Sequence, residues 1–369
     1  MKKVLIFLIV LIIVTLTVVG VLLYINEDPV AENTEESNEI SPDRETNKEA
    51  NKFEATEGLY IVPTMRDKLY ADTVWCATFQ LVWNDMKNEL VKKDVVFEPQ
   101  LEVAENLNKE EFTDKMISGE YYYKKYGLKT LELKAEIEEG IKKKFNETSD
   151  ILDDFDWSEE GLNDPNNPNV NRYFFYVMLR RSFEFLTEFD ELENGAFGNI
   201  YNDVEYFGID KNSDKELDSQ VDVLYYNSQD DFAVILNTKQ NDEVIFCKNP
   251  KGTNFREIYD NMNNEADKYT GDIKFQNIDE LKIPNIKLNE KKEYQEVQGK
   301  EFATEKGTGI IVKAIQTIQF ELNKKGGEIK SEAAMDPKEV TAAAPEPRDE
   351  PKPRYFYVDD TFVIFLREK

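Results

Sequence analysis

Acidic pairs, two thiols and one long polar loop are what this chain offers for chemistry. Asp153/Asp154 and Asp230/Asp231 supply the residue type that general acid-base catalysis needs. With 74 acidic and 46 basic residues, such neighbours arise freely. The run DKNSDKELD at 210–218 puts Asp210, Asn212 and Asp214 at the first, third and fifth positions of a calcium loop. Lys215 then stands where the sharp turn needs Gly, and Val221 where a bidentate Glu closes the shell, so no calcium is assigned. GTG at 307–309 falls short of a phosphate-cradling Gly-rich loop. The chain has no histidine, which removes Ser-His-Asp and Cys-His nucleophiles and any His-ligated zinc. No catalytic residue, metal ligand or cofactor is assigned, and the chain is not expected to be an enzyme.

The remaining chemistry belongs to a segment built to be acted upon. Ile310 to Phe320 (IIVKAIQTIQF) is β-branched and alternating, the pattern of a strand. A turn (ELNKKGGE), a small-residue patch (SEAAM) and a proline-rich polar run (DPKEVTAAAPEPRDEPKPR) follow, and YFYVDDTFVIFLREK returns the chain to buried strand. Loops beyond about 15 residues without structure of their own are usually functional or disordered. This one is tethered at both ends and reads as a bait or switch loop; a solvated hairpin insertion is the plain alternative.

Composition and the first residues set the location. Val4 to Ile25 is a run of 22 apolar or weakly polar residues without a charge, long enough to cross about 30 Å of hydrocarbon. It exceeds a signal peptide's apolar stretch and is followed by no small-residue cleavage site. Residues 1–26 are therefore expected to form a cytoplasmic start and an uncleaved signal anchor, with Lys2 and Lys3 inside. Residues 27–58 are charged and nearly free of apolar side chains, an acidic stalk. Residues 59–369 form the expected domain, extracytoplasmic and monomeric. A net charge of −28 argues against nucleic acid or an anionic membrane surface as partner. Cys76 and Cys247 sit among apolar neighbours (VWCATF, VIFCKN) and read as buried free thiols, although spacing leaves a disulfide open.

Several elements must position the loop. A helix is expected over 72–90 with Asp72 as N-cap, a strand over 95–99 ended by Pro99, and two short helices over 101–116. YYYKKYG (121–127) reads as a half-buried aromatic-basic surface. An amphipathic helix over 130–145 turns Leu131, Leu133, Ile137 and Ile141 inward. Residues 172–189 are the most apolar stretch of the domain, a helix or strand packed on both sides. VDVLYY, FAVILN and EVIFCK form a meander, NFREIYDNM a short helix, and LKIPNIKL an edge strand or bulge at Pro284.

The C-terminal third resembles the serpins. YYNSQDDFAVILNTKQNDEVIF resembles their central meander, NFREIYDNM the helix after it, and LKIPNIKLNEKKEY the strand leading to the next sheet. IVKAIQTIQFELNKKGGE resembles the strand and hinge, with Glu321, Asn323 and Gly326 in place. YFYVDDTFVIFLRE resembles the closing strand pair. The resemblance implies an α+β fold with several N-terminal helices, three mainly antiparallel sheets and an exposed reactive-centre loop, here about 327–354. It implies that a serine protease cleaves the loop, which then inserts as a strand into the main sheet and traps the protease. The hinge it assigns comprises Gly326, Gly327, Glu328, Ser331, Ala333 and Ala334. The implied reactive bond is Val340-Thr341, with Ala344-Pro345 on a shifted register. Lys324 replaces the usual hinge Glu, and Pro337 falls in the inserting segment. A non-inhibitory binding protein on the same fold is the alternative.

Overall fold

In the computed structural model the residues described are Ile9–Ile12, 56, 58–70, 72–146, 151–157, 170–240, 242–327 and 352–368. Among them, β-structure dominates. Strand β1 (Ile9–Ile12) is followed by β2 (Tyr60–Val62), β3 (Thr73–Cys76), helices α1 (Thr78–Asp85) and α2 (Glu102–Lys109), and β4 (Tyr122–Leu128). Helix α3 (Leu131–Phe145) leads to β5 (Asn171–Leu179), β6 (Phe183–Glu184), β7 (Asp190–Phe197) and β8 (Tyr201–Ile209). The meander β9 (Val221–Ser228), β10 (Asp231–Asn237) and β11 (Asp242–Lys248) runs into helix α4 (Phe255–Lys268). Strands β12 (Glu280–Pro284), β13 (Ile286–Glu293), β14 (Glu301–Thr304), β15 (Gly307–Asn323), β16 (Gly326–Gly327), β17 (Tyr355–Tyr357) and β18 (Phe362–Glu368) complete the chain.

Three sheets result. Sheet I has the order β2-β3-β1-β18-β11-β10-β9, and sheet II the order β17-β12-β8-β7. Sheet III runs β4-β5-β15-β16-β6, with β13 and β14 on the other flank of β15. Most pairings are antiparallel; β2/β3, β12/β17 and β5/β15 are parallel. The largest core cluster joins sheet I to sheet II and to the upper end of β15, and a second lies beneath sheet III with Phe79, Trp83, Tyr173 and Tyr294.

The meander and both closing strands fall where their alternation puts them. The helix expected over 72–90 starts later: Thr73–Cys76 is a fully buried strand, and α1 begins at Thr78 behind Ala77, which gives no side-chain cap. Buried β-branched and aromatic side chains favour the sheet there over the helical spacing. The strand expected over 95–99 is a single bridge, Phe97 to Phe302. Helix α3 buries Leu133, Ile137, Ile141 and Phe145, whereas Leu131, in its first turn, is 55% exposed. The apolar run after 171 is strand β5, covered on both faces. Pro284 ends an interior strand: β12 pairs with β8 and β17, and the chain crosses at Asn285 from sheet II to β13 in sheet III. Proline's missing donor is harmless at that exit. α4 outlasts the expected helix by six residues, with Asn254 as N-cap accepting from Glu257 N at 2.9 Å.

Ile9–Ile12 lie within the run expected to cross the membrane, and here they pair antiparallel with β3 and β18. The rest of that run and most of the stalk fall outside the described residues. No helix among the described residues is long and apolar enough to cross a membrane.

Candidate functional site: the loop hinge and the seam beside it

β15 is the longest strand among the described residues, and it leads through β16 to the segment expected from sequence to be the loop. On one flank β13 pairs antiparallel with it from Ile315 to Leu322. On the other flank β5 pairs parallel with it, from Gly309↔Asn171 to Thr317↔Met178. Above Thr317 the two part. Ile318–Glu321 face no described strand on that side, and β5 ends at Leu179. At the top, β16 fills the interval: Gly326↔Asn323 and Gly327↔Leu322 on the β15 side, Gly326↔Glu184 and Gly327↔Phe183 on the β6 side. Gly326 and Gly327 thus form a two-residue strand, antiparallel to both neighbours, at the end of a parallel seam.

Only glycine fits there. Gly326 has φ +138°, a conformation that L side chains rarely adopt. A Cβ on it would lie 2.2 Å from the Phe183 carbonyl oxygen and 2.9 Å from Glu184 Cα. A Cβ on Gly327 would meet the Phe183 ring at 2.4 Å. The turn before them is tied down. Phe189 N and Phe185 N donate to the carbonyls of Lys324 and Lys325, each at 2.9 Å. Lys324 Nζ pairs with Glu188 at 3.1 Å and Glu191 at 3.5 Å. Lysine at the usual Glu position therefore meets carboxylates, and those hydrogen bonds raise its pKa.

The strands on either side of Ile318–Glu321 are braced by buried polar groups. Gln316, one pair before the end of the seam, accepts from Tyr294 OH at 2.6 Å and donates to Thr78 Oγ1 at 2.7 Å and the Cys76 carbonyl at 3.2 Å. It holds β15 to the start of α1, and Phe79 stacks on Tyr294 at 3.7 Å. On the opposite side Arg181 follows β5. Its guanidinium pairs with Asp242, lies 3.8 Å from Glu368, and packs on the Tyr121 ring at 3.7 Å. Burial raises the Asp242 carboxyl pKa, and Arg181 opposes that rise. The connection from β5 to β6 is thereby fixed to sheet I.

Arg354, just after the segment expected to be the loop, is clamped. Arg354 donates through its side chain to the Asp279 carboxylate at 2.7 Å and to the carbonyls of Asp272 and Lys274, each at 2.6 Å. Its backbone N donates to Asp279 Oδ1 at 2.9 Å. β17 then pairs with β12.

Of the residues assigned from sequence, the structure places Gly326 and Gly327 in the sheet. Glu328, Ser331, Ala333, Ala334, Pro337, Val340 and Thr341 lie outside the described residues. Sequence reasoning missed Gln316, Arg181 with Asp242, and Arg354 with Asp279. Gln316 carried a visible signal, a polar residue inside a β-branched run; Arg181 and Arg354 carried none, since their partners come from distant strands. Tyr121–Gly127, expected as a half-buried surface, is largely β4 and is half-buried. Cys76 and Cys247 are free and buried. Burial pushes their thiols up to about 11 and about 12, respectively. Among the described residues, no cluster of acidic or thiol side chains is arranged to hold a metal.

Comparison with protein-family models and with curated proteins finds no match. Comparison with solved structures finds chains that include serpins. A highly specific serpin of the insect Tenebrio molitor aligns at 12% identity over 67% of this chain and 75% of that one, TM-score 0.34. Human thyroxine-binding globulin complexed with thyroxine aligns at 11% over 67% and 75%, TM-score 0.33. Tengpin, a thermophilic serpin in its native state, aligns at 10% over 63% and 61%, TM-score 0.35. All three TM-scores lie below one half; the described residues themselves show mixed sheets, few helices and a longest strand, β15, that leads into β16.

Proposed function

We propose that this protein is a serpin-like inhibitor of a serine protease, acting outside the cytoplasm and presenting residues 328–351 as bait. One observation carries the reading. β16 lies antiparallel between β15 and β6, at the head of two strands that run parallel. Residues following Gly327 in the same direction would pass Glu321 to Ile318, which face no described strand there, and then reach the Thr317–Met178 end of the seam. Parting β5 from β15 to admit an antiparallel strand replaces one parallel seam with two antiparallel ones, the better-bonded arrangement. The loop is therefore set to slide in once one end is cut, while Arg354 retains the other fragment. Strand insertion of this kind is a known route for releasing stored strain.

Val340-Thr341 is the proposed cleaved bond, and an elastase-like or subtilisin-like protease preferring a small apolar residue is its proposed partner. Residues 4–25, through the 27–58 stalk, are proposed to hold the domain at the outer face of the membrane. Pro337, which lacks a ladder donor, favours a second reading in which the loop is a ligand and does not insert fully. Incubation with a panel of serine proteases separates the two. An SDS-stable complex supports inhibition; cleavage without complex or stabilisation leaves only the binding role.

A further inference from the structure

Sheet I contains a slot one strand wide. β3 and β18 do not pair with each other; β1 stands between them. Its pairs are Ile9↔Cys76, Val10↔Trp75, Leu11↔Val74 and Ile12↔Thr73 on one side, and Val10↔Phe365 and Leu11↔Ile364 on the other. The slot lies in the main core: Val74, Trp75, Cys76, Ile364 and Phe365 are each at most 1% exposed. Were β1 absent, both strands would end on unpaired backbone groups next to that core. Each such group costs about 1–3 kcal/mol when buried and unbonded, and an open apolar edge invites a foreign strand. These four residues also belong to the run long enough to span a bilayer. A strand within the sheet and a membrane-crossing helix exclude one another in one chain.

We propose that the slot between β3 and β18 is a strand acceptor and that its occupant is the chain's own Ile9–Ile12 whenever the apolar run is not in a bilayer. The segment Ile-Val-Leu-Ile suits a strand buried on both faces. The intervening residues 13–59, at about 3.3 Å each when extended, give ample reach back to β2. The domain thus carries its own last strand at the opposite end of the sequence from β18. The proposal does not depend on the inhibitory reading.

One substitution tests it, because Cys76 is the register partner of Ile9. Full-length Ile9→Cys protein is synthesised cell-free without membranes under mild oxidation. Directly opposed cysteines on antiparallel strands are within disulfide reach. The expected result is an intrachain disulfide to Cys76 and loss of that thiol, with none in Val10→Cys, which faces Trp75. Absence of the cross-link overturns the proposal, and a cross-link joining two chains overturns the own-chain occupant in favour of a swapped strand. With lipid vesicles present during synthesis, loss of the cross-link supports the exclusion of one seat by the other. Its persistence supports the sheet seat and overturns the membrane anchor. As a second readout, Leu11→Pro lowers the melting temperature of the membrane-free protein by several degrees, through a lost ladder bond; an unchanged value overturns the proposal.

Discussion

Gly326→Ala tests the hinge at its narrowest point. The methyl group would lie 2.2 Å from a carbonyl oxygen and 2.9 Å from a backbone Cα, and neither can rotate away as a side-chain tip would. β16 must leave the sheet. The pairings of Gly326 and Gly327 with Leu322, Asn323, Phe183 and Glu184 go with it. Two to four ladder bonds at about 1 kcal/mol each set the loss at roughly 2–4 kcal/mol, or about 3–6 °C in melting temperature for a domain of this size. Gly299→Ala is the control. Gly299 also has positive φ, +67°, but a Cβ there meets nothing within 4 Å, so it carries only the left-handed penalty of about 1–2 kcal/mol. Thermal unfolding and amide exchange at Leu322 and Phe183 are the assays. Gly326→Ala should be the more destabilised, with exchange at the mouth of the seam accelerated. Equal destabilisation of the two variants, with exchange unchanged, would refute the wedge.

Three further substitutions probe the surroundings. Lys324→Glu sets a carboxylate against Glu188 and Glu191; as the lysine is partly exposed, the loss is about 1 kcal/mol, seen as a small drop in melting temperature and faster proteolysis after residue 323. Gln316→Leu strands the Tyr294 hydroxyl in the core and leaves the Thr78 hydroxyl only its bond with Cys76 Sγ, and a loss of roughly 1–3 kcal/mol in denaturant unfolding is expected. Asp72→Asn acts through pH. Asp72 is 5% exposed, its Oδ1 has no partner among the described residues, and burial lifts its carboxyl from 3.8 to about 7. The folded state therefore binds the proton more tightly than the unfolded state, so the group's destabilisation grows as pH rises from 4 to 7 and is full above 7. The variant should melt higher than the parent at pH 8 and at nearly the same temperature at pH 4. A gain independent of pH would remove the carboxylate as its cause.

Local pattern made the C-terminal half legible. The β9–β11 meander, β15, α4 and the closing strands each combine a clear period with turn residues, and their order carried the family resemblance. The hinge glycines were legible as glycines but not as a wedge, because the clash involves Phe183 and Glu184, far away in sequence. The stretch after Asp72 misled because its apolar residues fit helical spacing while tertiary burial took Thr73–Cys76 into a sheet. Pro284 read as an edge because a proline's place in a sheet depends on which neighbour the next residue leaves. Strand β1 was hidden for another reason: its composition suits a bilayer as well as a buried strand, and only the gap between β3 and β18 distinguishes the two.

The central claim is that the seam between β5 and β15 admits the loop as a strand. Limited cleavage within residues 336–345, followed by calorimetry of the nicked protein with both fragments retained, measures it directly. Insertion predicts that the nicked protein melts about 5 °C or more above the intact one, the counterpart of roughly 3 kcal/mol at this size. A nicked protein that melts at or below the temperature of the intact chain would contradict it.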